Sequence, residues 1–185
     1  MALAFRQQLA VGQIGESQIA AWLRARGYSV LPVYETEINT GKGPRLFTPH
    51  GESIAPDMLV MRGTDIRWIE AKHKTVFSWW RIGACWETGI DIRHYEEYLS
   101  IDAQHPYPVW LLFLHTSSVP DARDMPYCPP ACPIGLFGGR LSLLRTLVSH
   151  TSDRHGKSGM VYWKHTDLQL IAALDEVIAA ANSGM

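Results

Sequence analysis

Glu70 and Lys72 lie two residues apart in Ile66-Arg67-Trp68-Ile69-Glu70-Ala71-Lys72, at the end of a stretch that reads as a β-strand. A strand sends alternate side chains to opposite faces, so this carboxylate and this amine share one face. Thirteen residues before Glu70, Pro56-Asp57 opens a second such stretch. If the two stretches pair, Asp57 joins them. Two carboxylates and a lysine converging on one face suit metal-dependent hydrolysis of a phosphodiester.

The connection between the stretches, Arg62-Gly63-Thr64-Asp65, has the chemistry of a hairpin turn. A two-residue loop at Gly63-Thr64 pairs Arg62 with Asp65, Met61 with Ile66, Leu59 with Trp68 and Asp57 with Glu70. Directly opposed residues project to one face with Cβ atoms roughly 4.5–5.5 Å apart. Carboxylates that close repel unless one holds a proton or a cation sits between them. Mg²⁺ binds one or two carboxylates and keeps positions for water and phosphate. Lys72 would then stabilise developing charge or orient the attacking water. The competing reading is an exposed sheet face whose acids are merely solvated.

A third acid belongs to a helix expected over Gly15–Arg26. Ile19, Ala20 and Leu23 share one face of it, and Glu16 precedes them by three, four and seven residues. Glu16 therefore turns inward, where an unpartnered carboxylate is costly, so it pairs or approaches a metal. Its bland alternative is a residue that merely ends the helix. Gly27 stops the helix, and Arg24 and Arg26 complement the negative end of its dipole.

Further along, Tyr28–Val33 reads as a strand and 35–53 as an irregular excursion rich in Gly and Pro. Asp91–Leu99 reads as a second helix, with Ile92, Tyr95 and Leu99 on one face. Val109–Leu114 is a buried strand, and Met160–Trp163 a last strand. Leu168–Ala181 reads as a closing helix. Five prolines and three glycines make 115–140 a long loop insertion, with Gly135–Arg140 as a tight turn. The order predicts a single mixed α/β domain over 1–185, built around one central sheet.

Hydrophobic residues make up 46% and charged residues 19%, which places the chain among globular proteins rather than disordered ones. A net charge of −1 excludes a uniformly basic coat, so any hold on phosphate is local. Between positions 40 and 81, seven basic residues face four acidic ones. Cys85, Cys128 and Cys132 are an odd number and do not read as a disulfide framework. With no signal-peptide pattern and no apolar run long enough for a bilayer, the expectation is a soluble cytoplasmic protein. Cys128, Cys132, His150 and His155 invite a zinc reading, but their spacing is unusual, and reduced thiols on a Pro-rich loop are the favoured reading.

Gly12-x-x-Gly15-Glu16 on a helix ending at Gly27-Tyr28, followed by Pro56-Asp57 and Glu70-Ala71-Lys72, resembles the PD-(D/E)XK nuclease superfamily. The pattern is most similar to Holliday-junction resolvase-like nucleases and covers roughly residues 11–74. The resemblance implies a restriction-endonuclease-like core, a central mixed sheet flanked by helices in the order α-β-β-β-α-β. It also implies Mg²⁺- or Mn²⁺-dependent endonuclease cleavage of DNA, with junction or branched DNA as the substrate to expect, and a homodimer. Asp57 and Glu70 become metal ligands, Lys72 the catalytic lysine, and Glu16 the helix acid that holds a metal or its water. The chain departs from the small resolvases in lacking their basic charge and in adding a Pro- and Trp-rich region after the motif. An alternative is a catalytically silent DNA- or protein-binding module on the same fold.

Lys74, Trp79, Trp80 and Arg81 follow the motif, aromatics interleaved with basic residues. Such a run either stacks on bases and contacts phosphates or forms a hydrophobic cluster. Arg93, on the second helix, is either a phosphate contact or a surface ion-pair residue.

Overall fold

The computed structural model describes residues 2–33, 44–48 and 51–183, with side chains from Ile14 onward. The helices are α1 (Ala2–Ala25), α2 (Ile92–Gln104), α3 (Leu141–Leu144) and α4 (Leu174–Ser183). The strands are β1 (Ser29–Pro32), β2 (Arg45–Thr48), β3 (Gly51–Ile54), β4 (Met58–Arg62), β5 (Asp65–Lys74) and β6 (Ser78–Trp80). They continue as β7 (Cys85–Asp91), β8 (Val109–His115), β9 (Gly135–Arg140), β10 (His150–Ser152), β11 (Met160–Lys164) and β12 (Gln169–Ala172).

A six-stranded sheet in the order β1-β4-β5-β8-β9-β12 forms the centre. It is mixed: β5 and β8 run parallel, and every other neighbouring pair is antiparallel. Alternation along β5 and β8 splits the core in two. Ile69, Ala71, Leu112 and Leu114 pack with Ile19, Trp22 and Leu23 of α1 and Val177 of α4. Trp68, Leu111 and Phe113 pack on the opposite face with Tyr98 and Ile101 of α2, and with a second sheet. Leaving aside the β2–β3 hairpin and the strands between β5 and α2, the chain order is α1-β1-β4-β5-α2-β8, the expected mixed α/β plan with helices on both faces of a central sheet.

Local chemistry sets the elements that matter most. α1 ends where expected: Gly27 adopts φ +84°, and Tyr28 N–H reaches back to Leu23 C=O at 3.1 Å, closing the helix with a left-handed cap. The Gly63-Thr64 turn also holds, with Arg62 opposite Asp65. Asp91 caps α2 by accepting from Arg93 N–H at 3.1 Å. At the other end of the helix, the Asp102 carboxylate accepts from Val109 N–H at 2.8 Å and ties α2 to the start of β8.

Several elements differ from the sequence expectation. α1 starts at Ala2 rather than Gly15, because the Ala-, Leu- and Gln-rich stretch before it carries the helix through both glycines. Gly135–Arg140 is a core strand rather than a tight turn, which leaves 116–134 as the connection. Its glycines answer to packing: a Cβ on Gly138 would sit 2.1 Å from Leu111 O on the adjacent strand. Residues 169–172 form β12, and the last helix begins at Leu174 with Asp175 and Glu176 in its first turn, where acids suit the dipole. The segment 35–53 lies partly outside the described residues, at 35–43 and 49–50, and its described part forms the β2–β3 hairpin. Finally, β6 and β7 join β10 and β11 in a second, four-stranded sheet. β7 is buried along nearly its whole length, so it lacks the alternation that betrays a half-exposed strand.

Gly138→Ala should lower the unfolding free energy by about 1–3 kcal/mol, since the contacted atom is backbone and cannot swing aside. Urea titration checks this, and an unchanged midpoint would mean that β8 and β9 lie farther apart than described.

Candidate active site

Glu70 and Lys72 occupy the C-terminal half of β5, alongside parallel β8 and just beyond the ladder with antiparallel β4. Glu70 lies opposite Leu111 and is 1% exposed, whereas Lys72 is 29% exposed. Their shared face is realised as an ion pair between the Lys72 amine and Glu70 Oε1. The hairpin register is the expected one as far as Met58 opposite Ile69. Asp57 then leaves the ladder, and its Oδ2 accepts from Ala71 N–H at 2.8 Å. The side chain stands in for a backbone acceptor and is thereby fixed beside Glu70.

Glu16 arrives from the other side of the sheet. Gly15 is pressed on β5 so closely that a Cβ there would lie 2.2 Å from the Cβ of His73. Only glycine lets the helix backbone settle at that depth. The next residue, Glu16, is half-buried near Asp57 and Lys72, and both perturb its ionisation.

The electrostatics record the crowding. Burial, reinforced by the neighbouring Glu70, pushes the Asp57 carboxyl up to about 7 against the opposing pull of Lys72 and of the Ala71 N–H. Burial, reinforced by Asp57, pushes Glu16 to about 7. Burial alone would lower the Lys72 amine, but Glu70 and then Asp57 outweigh it, so Lys72 is held protonated.

Two residues of α2 complete the enclosure, and the sequence reading missed both. Tyr98 is 1% exposed, and its hydroxyl approaches Glu70; burial first, then the charges of Glu70 and Asp57, raise it far above the ordinary phenol range. His94, one turn earlier, is lowered by burial and by Lys72, and its ring meets that of Tyr98 edge-on at 5.9 Å. The spacing of His94, Tyr98 and Ile101 on one helical face was the available signal.

Among the described residues, no three Asp, Glu, His or Cys side chains converge tightly enough to chelate an ion unaided. Asp57 and Glu70 do converge, and both buried Glu70 oxygens are met by side chains alone, the Lys72 amine and the Tyr98 hydroxyl. Two adjacent carboxylates with unused lone pairs fit a hard divalent cation that completes its shell with water and phosphate oxygens.

The remaining sequence candidates are dispersed. Lys74 ends β5, half-buried, and burial followed by the charge of Lys72 lowers its amine. Arg93 is exposed in the first turn of α2. Trp79 turns inward, edge-on to Trp86 at 5.0 Å, and its backbone N–H donates to the Asp124 carboxylate at 3.1 Å. Trp80 lies on the other face of β6, stacked on His150. Arg81 covers the Tyr127 ring at 3.7 Å and donates to Arg123 C=O. All three cysteines are free; buried Cys132 accepts from Phe77 N–H at 3.3 Å and anchors the 116–134 connection. His150 and His155 associate with Tyr162 instead of the thiols.

No protein-family model and no curated protein sequence matches the chain. Among solved structures, it is similar to Archaeoglobus fulgidus Hjc, a Holliday junction resolvase from an archaeal hyperthermophile. The identity is 9% and the TM-score 0.48, with 91% of this chain and 99% of that one covered. A likeness of that size carries no residue role from one chain to the other. Among the described residues, no helix is long and apolar enough to cross a membrane.

The raised Asp57 acid has a testable sign. Below its unfolded value of 3.8 both folded and unfolded chains hold the proton, whereas between 3.8 and about 7 only the folded chain does. Without metal, Asp57 therefore weakens folding progressively as pH rises through that window. Urea unfolding in EDTA should show Asp57→Asn gaining stability relative to the parent between pH 4 and 7. A pH-independent difference would contradict the crowding described.

Proposed function

We propose that the chain is a Mg²⁺- or Mn²⁺-dependent endodeoxyribonuclease of PD-(D/E)XK type, acting on branched or junction DNA. The observation that carries this reading is Glu70: a carboxylate 1% exposed, with Asp57 and Lys72 beside it and Glu16 directed at the same place by α1. Burial of that kind is retained where the residue acts, because isolated it would only destabilise.

Asp57 and Glu70 would hold the cation, which when bound supplies Lewis-acid polarisation of a phosphate oxygen. The chain's own groups perform the rest. The protonated Lys72 amine donates to a non-bridging oxygen as negative charge builds there. Glu16, with its acid raised to about 7, is suited to take a proton from the attacking water near neutral pH. The water oxygen bonds to phosphorus as the bond to the leaving oxygen breaks. Tyr98 and the apolar residues around it exclude bulk water from Glu70. Lys74 and Arg93 are assigned to phosphates of the bound strand. A homodimer, by resemblance to the small resolvases, and a cytoplasmic setting complete the reading.

Cleavage of plasmid, single-stranded and four-way-junction DNA, with and without Mg²⁺, tests this. Asp57→Ala and Lys72→Ala should each lose activity by at least about a hundredfold while keeping the parent's circular dichroism. Full cleavage by either variant, or none by the parent on any substrate, would leave a binding module in place of an enzyme.

A further inference from the structure

The four-stranded sheet has an inner face that joins the core and an outer face that does not. Trp86, Ile90, Val161 and Trp163 point inward. The strand registers place Ser78 opposite Glu87, Gly89 opposite Tyr162, and Tyr162 opposite His150. These residues and Trp80 therefore share the outer face. Gly89 has no side chain to hold the Tyr162 ring off the sheet; a Cβ there would lie 2.9 Å from Tyr162 Cδ1.

Upon this face sits a column of flat rings. Trp80 stacks on His150 with centroids 4.4 Å apart and planes 20° apart, and His150 stacks on Tyr162 at 4.8 Å and 14°. His155 Nδ1, 2.7 Å from the Tyr162 hydroxyl, fixes the far end. The column borders a cleft of about 640 Å³, a volume within the range of small-ligand sites. Glu87 forms part of its lining, 5% exposed, with Oε2 lacking a hydrogen bond; the nearest partner is His150 Nδ1 at 3.5 Å, which lacks one too. Arg81, Arg123 and Arg154 also line the cleft.

We propose that this cleft binds one unpaired nucleotide. Its base extends the Trp80–His150–Tyr162 column, its edge exchanges hydrogen bonds with Glu87 and His150, and its phosphate meets the arginines. Each requirement is matched by a distinct feature: stacking by flat rings, edge recognition by two buried polar atoms that face each other at 3.5 Å without a hydrogen bond, and anion binding by guanidinium groups. A neutral sugar would use the rings and the acid but give no role to the exposed Arg154, whereas Arg123 is already paired with Asp121 and Arg81 already rests on Tyr127. Trp80 lies only eight positions after Lys72, so their Cα atoms lie at most about 29 Å apart, within reach of one nucleic-acid molecule. The proposal thus deepens the nuclease reading, with the nucleotide as an unstacked residue of the bound strand, but the same chemistry would take a free mononucleotide.

Binding is measured in EDTA on the full chain carrying Asp57→Asn, so that cleavage plays no part. Calorimetry with dAMP and dTMP, and fluorescence anisotropy with a labelled single-stranded oligonucleotide, separate the two sources. Trp80→Ala and Arg154→Ala should each weaken binding about tenfold or more, and the exposed Arg154 guards against a folding artefact. Loss of oligonucleotide binding alone assigns the cleft to a strand; loss of mononucleotide binding as well assigns it to nucleotides in general. No binding of either ligand, or binding that both variants leave unchanged, overturns the proposal. Neither result bears on whether the carboxylate site cuts DNA.

Discussion

A carboxylate in the middle of a sheet, cut off from water, is the constraint around which this molecule is arranged. Removing an ion from water costs several kcal/mol even after the surroundings relax. Glu70 meets that cost with one amine on its own strand, and the elements around it conform to the arrangement. β5 must extend far enough to carry Lys72, and β4 must begin just after Asp57 so that its carboxylate can turn to Ala71 N–H. β8 must lie alongside to seal the strand, and α2 must bring Tyr98 over the top. The two apolar clusters flanking β5 supply the stabilisation that tolerates such a centre.

The centre is also unbalanced. Three acids meet one lysine, and the surplus appears as protons retained by Asp57 and Glu16 near neutrality. A pair that merely stapled the fold would be matched in charge and satisfied in hydrogen bonds. Here the mismatch is held in place by rigid elements, a strand end on one side and a glycine-seated helix on the other. On the proposed reading, a divalent cation between Asp57 and Glu70 would displace those protons and relieve the mismatch.

Much of this centre was legible before any coordinates. The two-residue offset of Glu70 and Lys72, the turn at Gly63-Thr64 and the inward face of Glu16 follow from the periods of strand and helix, which are local properties. What escaped was non-local. Nothing near Gly138 in sequence announces that Leu111 passes 2.1 Å from where its Cβ would be, so a run of glycines read as a turn. β7, buried along nearly its whole length, gives no alternation to read. Tyr98 and His94 had the right helical spacing, but only the docking of α2 against β8 shows which face meets the acids.

The parallel pairing of β5 with β8 has a consequence in time. Parallel neighbours cannot be joined by a short turn, and here the crossover contains β6, β7 and α2. β7 pairs locally with β6, but its other neighbour is β11, beginning at Met160. On a ribosome, Glu16, Asp57, Glu70 and Lys72 all emerge early, yet the strands and helix that enclose them come much later. Contacts so distant along the chain close slowly. The acids are therefore synthesised first and enclosed last, and a half-made chain holds them only as solvated side chains.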